Sequence, residues 1–121
     1  MIGDYMEEVL AKALEFSNYR QTLSMQRKAL KEKINQDLTY GHNGGLFRID
    51  RSLISFVQML IDQERTQDIP ILDCNDVPVM IPDLKKFRDD ILDRYFTCLY
   101  EYHQKDQHIR KSRSVEKLVN L

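Results

Sequence analysis

A chain of 121 residues with 42% hydrophobic and 31% charged residues can build one core, and a formal net charge of −1 gives no global pull toward nucleic acid or anionic membrane. No apolar run approaches the length of a membrane span, and Met1-Ile2-Gly3-Asp4 has neither the basic nor the apolar part of a secretion signal. Two cysteines, Cys74 and Cys98, are too few for a disulfide framework, so the expected place is the cytoplasm or the inside of a larger assembly.

No Gly or Pro lies between Asp4 and Leu38, and the spacing predicts a first helix from about Asp4, as N-cap, to about Thr39. Glu7 and Glu8 near its start and Lys28, Lys31 and Lys33 in its later half suit the helix dipole. Tyr5, Val9, Phe16, Leu23, Leu30, Ile34 and Leu38 share one stripe, with Ala13 beside it. A rod of roughly 50 Å is longer than a domain of this mass needs for its own core. Arg20 and Arg27 interrupt the stripe one heptad apart. They either snorkel to solvent from a broad interface or meet carboxylates of a partner helix and fix its register.

Gly41 reads as the residue that ends this helix, and His42-Asn43-Gly44-Gly45 as a tight connection. Leu46–Ile49 reads as a short strand or a hydrophobic lead-in. Asp50 is the expected N-cap of a second helix from Arg51 to about Gln67, burying Leu53, Phe56, Val57, Leu60 and Ile61. Residues 69–81 change period and predict a β-hairpin turning at Cys74-Asn75-Asp76, with Leu46–Ile49 as a candidate third strand. Pro78 restricts the second strand to an edge.

A long final helix is expected from Pro82, in its first turn, to about Lys111. Leu84, Phe87, Ile91, Tyr95, Cys98, Tyr102 and Ile109 fall in one narrow arc, which Leu92, Phe96, Leu99 and Tyr100 widen. So wide an arc asks for neighbours on two sides. The end, residues 112–121, reads as a separate tail. Val115, Leu118, Val119 and Leu121 supply its apolar side, either folded back on the domain or inserted into a partner's groove.

Phe16-Ser17-Asn18-Tyr19-Arg20, Tyr40-Gly41-His42-Asn43-Gly44-Gly45 and Lys111-Ser112-Arg113-Ser114-Val115 together resemble small uncharacterised proteins of contractile-tailed marine cyanophages. The resemblance spans most of the chain and implies a phage-encoded protein acting inside an infected cyanobacterium or in a virion. It transfers no functional residue.

The chemical motifs fail on spacing. Gly41–Gly45 lacks the Lys-Ser/Thr pair of a phosphate loop and the strand before it. Asp73-Cys74-Asn75-Asp76 starts like a calcium loop, but Leu84 stands where the bidentate Glu is needed. His103 and His108 are five apart, poor spacing for two ligands on one helical face. The sequence therefore predicts a mainly α fold, with two long antiparallel helices, a shorter middle helix and a small hairpin, as one domain over 1–111 plus the tail. It predicts no enzyme and no cofactor. The expected role is an assembly or adaptor protein, as a homodimer or with a protein partner, through Arg20, Arg27, Tyr95, Tyr102 and the tail. The alternative is a nucleic-acid accessory factor using Lys28, Lys31, Lys33, Arg48 and Arg51 as a basic patch.

Overall fold

The computed structural model describes the backbone of residues 2–119 and the side chains of residues 3–112. The chain is mainly helical, in the order α1 (Ile2–Asp37), β1 (Thr39–His42), β2 (Gly45–Arg48), α2 (Arg51–Asp62), β3 (Gln67–Leu72), β4 (Pro78–Asp83) and α3 (Leu84–Val119). The strands form two separate antiparallel hairpins, β1-β2 and β3-β4. The chain divides into two compact units, one of Met1–Glu32 with Gln104–Leu121, the other of Lys33–His103.

The second unit holds the main core. Phe47 and Ile49 from the first hairpin side, Val57 of α2, Ile71, Val79 and Ile81 of the second hairpin, and Leu84, Phe87 and Ile91 of α3 are all buried in one cluster. The arc expected on the last helix is the buried one here, with Leu84, Phe87 and Ile91 fully enclosed and Cys98 buried further along. Phe87 is the hub of the aromatic contacts, edge-on to Phe47 at 5.2 Å and to His42 at 5.1 Å between ring centres.

The first hairpin corrects the expected loop. α1 stops at Asp37, and Gly41 lies within β1 instead of capping the helix. Thr39 pairs with Arg48 and Tyr40 with Phe47, so β-formers on both sides of a two-residue turn outcompete further helix. That turn is Asn43-Gly44, with φ of 49° and 81°, the left-handed pair that a tight hairpin of this twist requires. β2 therefore pairs with β1 and is not a third strand of the second hairpin.

Side chains and loop backbone join the two hairpins instead. Asp73 accepts from Leu46 N at 3.1 Å through one oxygen and from Asn75 N and Val77 N at 2.8 and 3.0 Å through the other. Cys74 N donates to Leu46 O at 2.8 Å, and Asn43 Nδ2 to Met80 O at 2.7 Å. The backbone donors to Asp73 hold its carboxyl below the ordinary value, Val77 most, then Leu46, with desolvation opposing them and the Asn75 bond adding less.

The remaining boundaries differ in detail. Asp4 sits inside the first turn of α1 and does not cap it. Asp50 caps α2 as expected, its carboxylate accepting from Leu53 N at 2.8 Å. α2 then ends at Asp62, well before Gln67, because Glu64 turns left-handed at φ 62°. Glu64 N bonds Ile61 O and Arg65 N bonds Leu60 O, each at 2.9 Å, the paired closure of a Schellman end. Phe56, expected in the buried face of α2, is exposed. Pro82 belongs to β4, and α3 begins at Leu84 with Asp83 accepting from Lys86 N at 3.2 Å.

In the first unit, Leu23, Leu30 and Ile109 are buried. Tyr19 Oη donates to Ser112 O at 2.6 Å, and Arg27 reaches Asp106 at 3.5 Å. α3 continues past Lys111 to Val119, so the helix runs on into the segment expected as a separate tail.

Two predictions follow from the hairpin junction. A Cβ on Gly45 would collide with the Val79 side chain, so Gly45→Ala should lower unfolding free energy by about 1–3 kcal/mol, with part recovered in Gly45→Ala/Val79→Ala. Urea titration of the three variants checks this, and an unchanged midpoint in Gly45→Ala would refute the close approach. The lowered Asp73 carboxyl gives stability that is present above its unfolded value near 4 and lost as pH falls through its folded value. Asp73→Ala should therefore be less stable at neutral pH, with a shallower loss of stability from pH 5 down to pH 2.

Candidate protein-docking surface

α1 is longer than its buried part. Its later residues Leu23, Leu30 and Ile34 are buried, but among the described residues the first four turns bury no side chain. Tyr5, Met6, Leu10 and Leu14 keep 68%, 55%, 60% and 63% of their surface exposed, and Val9, Phe16 and Met25 are also exposed. At 100° per residue these residues cover roughly half the helix circumference between Tyr5 and Phe16, where a solvated helix would place charges. Contiguous apolar surface of this kind marks an interaction site more often than a bare face.

The two arginines of the stripe have different fates. Arg27 is half-buried, and its carboxylate partner is Asp106 of the same chain, which also pairs with Arg110 at 2.9 Å. Arg20 is exposed and stacks on the ring of Phe16, 5.7 Å from its centre. Tyr95 and Tyr102 are half-buried on α3; Tyr95 packs on the core and meets Phe96 edge-on at 5.7 Å. Phe96, Leu99 and Tyr100 form a second exposed apolar patch on α3. The side chains of Val115, Leu118 and Val119 lie outside those described, and Leu121 lies outside the described residues altogether.

The basic candidates differ in their surroundings. Lys33 pairs with Glu101, and Arg48 donates to Asn35 Oδ1 at 3.2 Å. Lys28, Lys31 and Arg51 are exposed. A shallow groove on α2, lined by Ile54, Gln58, Met59 and Gln63, gathers no charged cluster. Among the described residues, no three His, Cys, Asp or Glu side chains converge as a metal set, and no helix is long and apolar enough to cross a membrane.

No family model, curated protein or solved structure matches the chain.

Sequence periodicity located the stripe and the two arginines but not their partners. Asp106 lies 79 residues from Arg27, a separation that no local pattern reports. The exposed arc of Met6, Leu10 and Leu14 was readable, since 6, 10 and 14 recur at helical spacing beside the main stripe. Removing the shared carboxylate should weaken the first unit: Asp106→Ala is expected to cost about 1 kcal/mol, and Arg110→Ala much less, because the Arg110 pair is more exposed. Thermal melts followed by helical circular dichroism distinguish the two variants.

Proposed function

We propose that this chain is a non-enzymatic assembly or adaptor protein that works by presenting the apolar first half of α1 to another protein. The observation that carries the reading is the exposure of Tyr5, Met6, Leu10 and Leu14 on a helix whose later turns are buried. Such a surface gains by leaving water on docking, by about 25 cal/mol per Å² of apolar area covered. In this reading α1 and α3 run antiparallel, as the pairs Tyr19 with Ser112, Arg27 with Asp106 and Lys33 with Glu101 support. The apolar residues of the C-terminal segment, Val115, Leu118, Val119 and Leu121, take part in docking in this reading. The resemblance to cyanophage proteins supports an infected cell or a virion as the setting of this role.

The exposed Lys28 and Lys31 favour a second reading, a nucleic-acid accessory factor. It requires binding to DNA or RNA that falls steeply with salt and is lost when both lysines are neutralised.

The test uses the tagged full chain as bait on lysate of phage-infected cells and on disrupted virions. Leu10→Asp/Leu14→Asp should retain helix content and lose the captured protein, and deletion after Lys111 should weaken capture. Capture that is indifferent to both changes refutes the docking reading. Salt-sensitive capture of nucleic acid alone would favour the second.

A further inference from the structure

Asn43 turns the first hairpin and clips it to the second. Its backbone stands at φ 49° beside Gly44 at φ 81°, and its Nδ2 donates to Met80 O of β4 at 2.7 Å. The same dipeptide carries a latent reaction. Where an asparagine side chain reaches the next backbone nitrogen, that nitrogen can attack the side-chain carbonyl carbon and expel the amide as ammonia. A side chain on the next residue shields the nitrogen, and glycine has none. Gly44 is the only glycine that follows an asparagine, since Asn18, Asn35, Asn75 and Asn120 precede Tyr, Gln, Asp and Leu.

The surroundings favour the reaction on every side but one. Asn43 and Gly44 are both exposed, and a Cβ on Gly44 would meet nothing within 4 Å beyond its chain neighbours. The ladder closes on His42 and Gly45, so the Gly44 nitrogen is not one of its donors. Asn18 and Asn35, by contrast, lie inside α1, where the next amide is committed to the helix. The opposing feature is the clip itself. Nδ2 is the atom that must leave, and it cannot leave while it is bonded to Met80 O.

We propose that Asn43 is a site of spontaneous conversion to aspartate and isoaspartate, gated by the junction of the two hairpins. The Gly44 N–H gives its proton to hydroxide, and the nitrogen bonds to Asn43 Cγ. The Cγ–Nδ2 bond breaks, and the amide takes a proton from water and leaves as ammonia. Water then adds to one of the two carbonyls of the cyclic imide that remains, and the C–N bond at that carbonyl breaks. One cleavage gives aspartate with the main chain unchanged. The other gives isoaspartate, whose main chain runs through the former side chain and gains a carbon. Both products have lost the donor to Met80 O and gained a negative charge, and isoaspartate also lengthens a turn that the ladder holds tight. The clip opens, and the change runs one way.

The test holds the full chain at mildly alkaline pH and follows it by intact mass and peptide mapping. The expected result is the mass gain of an amide-to-acid exchange, located at Asn43, with isoaspartate beside aspartate at that position. The folded chain should convert more slowly than the same chain unfolded in guanidinium, on the order of tenfold or more, because it reacts only when the junction opens. Gly45→Ala and Asp73→Ala, which loosen the junction, should each raise the folded rate several-fold. The converted protein, separated by its extra charge, and Asn43→Asp should both unfold at a lower denaturant midpoint than the parent. Conversion confined to other asparagines overturns the site. A folded chain that converts as fast as the unfolded one overturns the gating, and an unchanged midpoint in both the converted protein and Asn43→Asp overturns the clip.

Discussion

The contact between Gly45 and Val79 is the constraint on which the second unit depends. Val79 lies so close that a side chain at position 45 would force it to shift. The two hairpins approach closely at this point, and the approach brings Leu46 within reach of the Asp73 carboxylate and of Cys74 N. With the hairpins joined, Phe47 of one and Ile81 of the other are fully buried in the same cluster as Phe87. Neither hairpin has a third strand, and a lone two-stranded hairpin is marginal in water. Each is made stable by the other and by α3 beneath them.

What this scaffold positions is a helix. Asp37 O accepts from Arg94 Nε at 2.8 Å, and the Arg94 guanidinium lies over the ring of Tyr40 at 5.6 Å. The last turn of α1 is thereby held to α3 and to the first hairpin at once. Within the first unit, Tyr19 and Arg27 repeat the attachment to α3. Charged groups serve this pairing as clips at its margin, with buried Leu23, Leu30 and Ile109 supplying the apolar contact. The first four turns of α1 have no described counterpart to this arrangement, and their apolar residues stay in water.

Most of the element order could be read from residue chemistry. The Asp50 cap, the two long Gly- and Pro-free stretches and the buried arc from Leu84 to Ile109 are local patterns with local causes. The failures were also local, but they involved competing signals. Asn43-Gly44 between Tyr40 and Phe47 is a strong hairpin signal, and reading Gly41 as a helix cap obscured it. The end of α2 was not legible, because its left-handed residue is Glu64, a type that gives no warning. Phe56 fell on the wrong side because α2 is buried along a line centred on Val57. Partners such as Arg27 with Asp106 depend on how distant segments meet, so the sequence could supply the arginine and not its answer.

The sequence separations of these contacts also dictate an order of assembly. Hairpin pairs close over a few residues, and Asp73 reaches Leu46 over 27. Tyr19 and Ser112 are 93 apart, a closure that costs an open chain somewhat more entropy and much less once the residues between them are already folded. The helix pairs of each unit, Lys33 with Glu101 in one and Tyr19 with Ser112 in the other, thus close after the hairpins between them, and the described apolar residues in the first turns of α1 remain in water throughout. An apolar helix end left in water through that interval is a surface on which chains can associate wrongly, which ties the yield of folded protein to chain concentration.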